Sequence, residues 1–191
     1  MKLPTKSVIF FLIVSVLSAQ AGHAAVKCKK YETEGSYFKY CVPDNWKLKK
    51  YKTDQAQEIE KIYGLELTGP ENYQMPVAVF LDFYSSENTF CKSEDDFVIR
   101  NSTGLLPGKD ERYSVKKGKF QNRSMRTIER RSFTYKNPES PAAEKILIKE
   151  KLAVISAKTG FYVLHYTAPV SAYKKYLKDF EKIFKSFTPL K

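Results

Sequence analysis

The chain has 191 residues, of which 33 are lysine or arginine and 21 are acidic, so its formal net charge is +12. This length is enough to bury the core of one domain. The charge favours anionic partners such as acidic proteins, anionic lipids or glycans, although a solvated lysine-rich surface explains it equally well. There is no internal repeat or low-complexity run, and no apolar segment beyond the N-terminus is long enough to span a membrane.

The N-terminus predicts a secretory signal peptide over residues 1–24. Lys2 and Lys6 precede an apolar run at residues 7–17, and small residues suitable for cleavage follow it. The apolar run is shorter than a membrane-spanning helix requires. We therefore expect an exported chain whose residues 25–191 form one domain in the periplasm, a lumen or the medium. Its charge falls from +12 to +10 because the two lysines are removed.

Three cysteines follow the predicted cleavage site, and export permits a disulfide between two of them. If residues 28–41 form a hairpin that turns at Glu34 and Gly35, Cys28 and Cys41 lie opposite each other and can be bridged. A Cys41–Cys91 bridge and no bridge at all remain as alternatives. In the first arrangement Cys91 is expected to be a buried, inert thiol.

Extended segments are predicted next, on either side of a turn at residues 43–45. Trp46 follows this turn and is expected to be a core anchor. Residues 62–69 and 75–84 predict two further strands. The second of these is apolar on both faces, which is typical of a strand covered on both sides.

Ser93 is a predicted helix cap, because Glu94, Asp95 and Asp96 follow it and precede an apolar run. Consecutive residues on a helix point in different directions, and no calcium-loop spacing is present. We therefore interpret the three acids as favourable charges in the first helical turn rather than as metal ligands.

Positive charge is concentrated in residues 109–131, where nine basic residues face three acids. Two extended segments, residues 113–120 and 123–135, are predicted here, and in a hairpin alternate arginines would project from one face. The segment is thus a candidate docking site for an anionic partner, while a solvated edge that prevents aggregation is the alternative. The basic residues are Lys109, Arg112, Lys116, Lys117, Lys119, Arg123, Arg126, Arg130 and Arg131.

The C-terminal third predicts strands at residues 145–156 and 161–167, joined by a tight turn, and then an amphipathic helix at residues 170–187. A loop is expected at residues 137–141. His165 alternates with apolar residues of its strand, which favours a satisfied structural histidine over a catalytic base.

Two segments resemble the PsbP-like domains. They are residues 40–48, Tyr-Cys-Val-Pro-Asp-Asn-Trp-Lys-Leu, and the closing strand and helix over residues 160–187. The resemblance implies an α+β fold in which a central antiparallel sheet has helices on both faces, an α/β/α sandwich. It also implies a non-catalytic role, since this family includes an extrinsic photosystem II subunit that docks through basic residues, a Ran-binding import factor and exported bacterial members.

These observations predict an exported, non-catalytic accessory domain that docks on an acidic protein. An anionic membrane surface or glycan is a possible partner, whereas nucleic acid is not expected outside the cytoplasm. No cofactor or metal is expected. An enzyme is disfavoured, because one histidine follows the predicted cleavage site and no Gly-x-Ser-x-Gly, His-Glu-x-x-His or glycine-rich phosphate loop occurs. Two alternatives remain: a hydrolase whose site is assembled in space around His165, and an extrinsic photosystem II-type accessory protein.

Overall fold

A computed structural model describes residues 28–50, 52–70, 75–104, 113–136, 139 and 144–191. The predicted signal peptide at residues 1–24 lies outside the described residues. So do two members of the basic segment, Lys109 and Arg112, and most of the predicted loop at residues 137–141.

Among the described residues, seven strands form the larger of two sheets. They are β3 (Lys47–Lys49), β4 (Ile62–Thr68), β5 (Ala78–Ser85), β6 (Val115–Phe120), β7 (Arg123–Lys136), β8 (Glu144–Ala157) and β9 (Gly160–Pro169). Their order across the sheet is β3-β4-β5-β9-β8-β7-β6, and every neighbouring pair is antiparallel. The strands predicted in the second half of the chain are confirmed, with ends that differ by one or two residues.

A smaller sheet contains β1 (Cys28–Glu32), β2 (Phe38–Pro43) and β10 (Thr188–Pro189). The expected hairpin is present, but its turn was predicted one residue too early. Gly35 and Ser36 have the positive φ angles, 77° and 50°, so Cys28 lies opposite Pro43 rather than opposite Cys41. The two cysteines are diagonal neighbours with Cα atoms 5.7 Å apart, and they form the predicted disulfide.

Three helices complete the described fold: α1 (Asp54–Glu60), α2 (Glu94–Ser102) and α3 (Val170–Ser186). The Ser93 hydroxyl accepts a hydrogen bond from the Asp96 amide, as the predicted cap requires. Helix α1 was not predicted. It is seven residues long and buries none of them, so it has no apolar periodicity that could reveal it.

Helix α3 and the small sheet cover one face of the large sheet. Tyr176, Phe180 and Ile183 of α3 are in the same buried cluster as Leu164 of β9. Trp46 is buried in this cluster, and its indole Nε1 lies 3.3 Å from an Asp179 carboxylate oxygen. Trp46 is therefore a core anchor, as predicted, and it joins the start of the sheet to the last helix.

A second buried cluster lies on the opposite face. Phe97 and Val98 of α2 pack with Phe161 and Val163, which alternate along β9 with the residues that face α3. The two-sided burial of the central strands is thus confirmed, and the fold is mixed α+β around a large antiparallel sheet. A full helical layer on each face is not confirmed, because α2 is the one helix of the described residues in this second cluster.

Candidate functional site

The basic segment forms the β6–β7 hairpin at one edge of the large sheet. Gln121 and Asn122 both have positive φ angles, 46° and 67°, which is the backbone that a two-residue hairpin turn requires. In this register Lys117 lies opposite Arg126 and Lys119 lies opposite Ser124. The two predicted extended segments are therefore confirmed, and the register fixes which basic side chains share a face.

Arg126 is directed towards helix α2. Its guanidinium forms ion pairs with Glu94, at 2.6 Å, and with Asp95. Glu94 also accepts a hydrogen bond of 2.7 Å from the Ser156 hydroxyl of β8. Two of the acids that the sequence assigns to the first turn of a helix thus also hold an arginine of the basic segment.

Arg130 is directed towards Glu150, a buried carboxylate of β8. Its Nε and Nη2 donate to the two carboxylate oxygens at 2.8 and 3.2 Å, while His165 Nε2 and the Ser132 hydroxyl lie 2.9 and 3.0 Å from that carboxylate. The Asn101 side chain of α2 accepts a further hydrogen bond from Arg130, at 2.9 Å. We call these five residues the Glu150 network.

The protonation of Glu150 follows from these contacts. Burial by itself raises the pKa of a carboxylate, but the hydrogen bonds from His165 and Arg130 outweigh it and hold the pKa of Glu150 at about 2. The network therefore contains an ionised carboxylate, which satisfies the arginine and the histidine.

The structure thus divides the predicted docking residues. Arg126 and Arg130 are paired with acids of the chain itself, and Arg123 is half-buried and donates to the Ser156 carbonyl at 3.4 Å. The described members that remain exposed are Lys116, Lys117, Lys119 and Arg131. Sequence reasoning did not identify Glu150, although an acid within an apolar strand was a usable signal.

His165 has the environment expected of a structural histidine. Its Nε2 lies within hydrogen-bond distance of Glu150, and its ring contacts that of Phe80, whose centroid is 5.7 Å away.

Cys91 is free and buried in the cluster beneath α2. Burial raises the pKa of its thiol, which disfavours the reactive thiolate. Among the described residues no group of three or more histidine, cysteine, aspartate or glutamate side chains is arranged to hold a metal ion. The same residues contain no helix that is both long enough and apolar enough to cross a membrane.

Comparison with known proteins identifies the fold more specifically than its mixed α+β class. No protein-family model matches the sequence, and no curated protein matches it. The solution structure of cyanobacterial PsbP (CyanoP) from Synechocystis sp. PCC 6803 is similar, with a TM-score of 0.51 at 9% identity over 91% of this chain and 99% of that one. The chain therefore has the PsbP-like fold, which confirms the resemblance found in the sequence.

Two further solved structures are similar at lower scores. LpqN, involved in cell envelope biogenesis of Mycobacterium tuberculosis, has a TM-score of 0.46 at 14% identity over 85% of this chain and 90% of that one. The Ran-binding protein Mog1p of Saccharomyces cerevisiae has the same score at 10% identity over 86% and 96% of the two chains. At these identities the likeness concerns the fold alone.

Proposed function

We infer that this chain is an exported, non-catalytic accessory domain that docks on an acidic protein through strand β6. In this proposal residues 1–24 are removed and residues 25–191 form one PsbP-like domain with helices on both faces of the sheet. The packing of α2 and α3 against opposite faces supports that arrangement. The disulfide between Cys28 and Cys41 supports export, because such bonds persist in oxidising compartments.

The observation that carries the proposal is the charge of β6. Lys116, Lys117 and Lys119 are exposed, and the strand contains no acidic residue. Lys117 and Lys119 project from one face of this strand and Lys116 from the other; we call the three residues together the β6 lysine surface. Glu129 of β7 interacts electrostatically with Lys116, but its pKa is lowered mainly by its hydrogen bond to Lys149, at 3.1 Å. Glu129 is thus shared between Lys149 and Lys116, while β6 itself supplies no acid to pair with its lysines.

The position of β6 also matters. It is the last strand in the order of the large sheet, so none of the described strands pairs with its outer edge, and a partner could approach it there. Lysines on an edge strand can equally serve to prevent pairing between copies of the chain. The two roles differ in one respect: only docking requires that these three lysines contribute more to anion binding than lysines elsewhere.

A matched pair of variants tests this requirement. One carries Lys116→Gln, Lys117→Gln and Lys119→Gln, and the other carries the same change at Lys174, Lys178 and Lys185, which are exposed on α3. Residues 25–191 of each protein are passed over immobilised poly-L-glutamate in a salt gradient. We expect the β6 variant to elute at clearly lower salt than the α3 variant, because binding to a patch depends on local rather than net charge. Equal shifts would contradict the proposal.

A further inference from the structure

A cleft of about 360 Å³ lies between the β1–β2 hairpin, helix α1 and strand β4. Two stacked pairs of aromatic rings line it: Tyr31 with Tyr40, whose centroids are 5.7 Å apart, and Tyr37 with Tyr63, at 4.1 Å. Its volume is within the range of sites that bind small molecules. We call it the tyrosine cleft. It lies at the β3–β4 end of the large sheet, whereas β6 is at the other end.

Acidic side chains predominate in the lining of the tyrosine cleft, and two of them, Glu32 and Glu58, are also paired with Lys39 and Lys61, which do not line it, each at 3.1 Å. The described residues that line it include four acids, Glu32, Glu34, Asp54 and Glu58, and one lysine, Lys50. The whole chain has a formal net charge of +12. Carboxylates next to aromatic walls attract a cation, and they repel an anion of the kind that the rest of the surface would attract.

Lys50 already places an ammonium group in this setting. Its Nζ lies 3.2 Å from a Glu34 oxygen in the hairpin and 3.3 Å from an Asp54 oxygen at the start of α1, so it connects two walls of the cleft. All three side chains are more than half exposed. Such exposed pairs contribute little to stability and are weakened by salt.

A second ammonium group of the chain lies against the tyrosine rings. Lys191 Nζ is 5.1 Å from the centroid of Tyr37, within the range of a cation–π contact. The Tyr63 hydroxyl lies 3.3 Å from a Glu58 oxygen, which directs that carboxylate towards the same ring pair. Two carboxylates and one tyrosine ring that line the cleft thus contact ammonium groups of the chain, although Lys191 itself does not line the cleft.

We propose that the tyrosine cleft binds a small organic cation. Its ammonium group replaces Lys50 Nζ between Glu34 and Asp54, and its carbon body lies against Tyr31 and Leu48. Aromatic faces and carboxylates together are the groups that recognise ammonium ligands in proteins. A neutral sugar would use the rings but not the charge, and an anion would be repelled by the acids.

The proposal can be tested by NMR chemical-shift titration of residues 25–191 with choline, with 1,4-diaminobutane and with glucose. We expect both amines to shift the NMR signals of the cleft residues and glucose to leave these signals unchanged. The amine that binds more tightly shows whether the cleft prefers a quaternary or a primary ammonium group. Asp54→Asn should weaken amine binding, whereas Glu181→Gln, an exposed acid on α3, should not. Tyr31→Phe should retain binding and Tyr31→Leu should weaken it, because the ring face is the contacting group.

Lys50→Met gives the most specific result. If the ligand replaces Lys50, removal of this competing ammonium should tighten amine binding roughly two- to fivefold. Weaker binding by Lys50→Met would overturn the proposed position of the ligand. Binding of glucose as strong as that of the amines, or no binding of either amine by wild type and Lys50→Met, would overturn the ligand class. None of these variants changes the β6 lysine surface, so the outcome is independent of the proposed docking function.

Discussion

The Glu150 network predicts that two adjacent arginines of β7 differ sharply in their effect on stability. Arg130 is paired with buried Glu150, while Arg131 is exposed and its side chain points to the other face of the strand. Removal of one partner from a buried ion pair costs about 3–5 kcal/mol, because the other charge is left without compensation. Since Glu150 keeps its contacts with His165 and Ser132, we expect Arg130→Met to cost about 3 kcal/mol. Arg131→Met, the matched control, should change the free energy of unfolding by less than about 0.5 kcal/mol.

Urea unfolding monitored by Trp46 fluorescence measures the free energy of unfolding of both variants. The pH dependence of this free energy provides a second test. The pKa of Glu150 is about 2 in the folded chain and 4.5 in the reference state. The stabilisation is therefore fully present above the unfolded value and is lost as pH falls through the folded value. The whole effect is about 3 kcal/mol, of which about 2 kcal/mol should be lost between about pH 5 and about pH 3. Glu150→Gln should remove this part of the pH dependence.

Two results would refute this reasoning. One is an Arg130→Met variant as stable as Arg131→Met, which would mean that the buried pair contributes nothing beyond an exposed charge. The other is an unchanged pH dependence in Glu150→Gln, which would assign the loss at low pH to other carboxylates. A double variant, Arg130→Met with Glu150→Gln, should lose less than the sum of the two single changes, because the residues act as a pair.

Three further predictions concern the scaffold. The Cys28–Cys41 disulfide joins residues 13 positions apart, and its reduction should lower the free energy of unfolding by about 3 kcal/mol. The reducing agent should not affect the stability of a Cys28→Ser/Cys41→Ser variant. Equal sensitivity of both proteins to reduction would contradict the bond. Gly64→Ala places a Cβ atom 1.8 Å from an Asp82 oxygen and should lower the free energy of unfolding in urea by at least about 2 kcal/mol. The control Gly118→Ala, whose Cβ atom has its nearest contact at 3.4 Å, should be nearly neutral. A Gly64→Ala variant as stable as wild type would refute this packing. Cys91 should react with a thiol reagent far more slowly in the native chain than in urea, and fast native modification would contradict its burial.

The regular elements could be predicted from the sequence because their periodicity is local. Tyr176, Phe180 and Ile183 recur at helical spacing, and the alternation along β9 assigns its side chains to two faces. The hairpin register could not be predicted to the residue, since it depends on the left-handed backbone of Ser36, a residue type that gives no strong signal for that conformation.

The ion pairs of the basic segment could not be predicted from the sequence either, for a different reason. Arg126 and Glu94 are 32 positions apart, and Arg130 and Glu150 are 20 apart. The sequence shows these charges but not their contacts, which depend on the strand register and on the placement of α2. The tyrosine cleft is non-local in the same way, because the hairpin, α1 and β4 each supply part of its lining.

The most direct measurement of docking is a capture experiment with three forms of residues 25–191: wild type, the β6 variant and the α3 variant. Each is immobilised and exposed to extract from the source organism at low salt, and bound proteins are released at high salt. We expect an acidic protein to be retained by wild type and by the α3 variant but not by the β6 variant. Equal retention by all three forms, or no retention by wild type, would contradict docking through the β6 lysine surface.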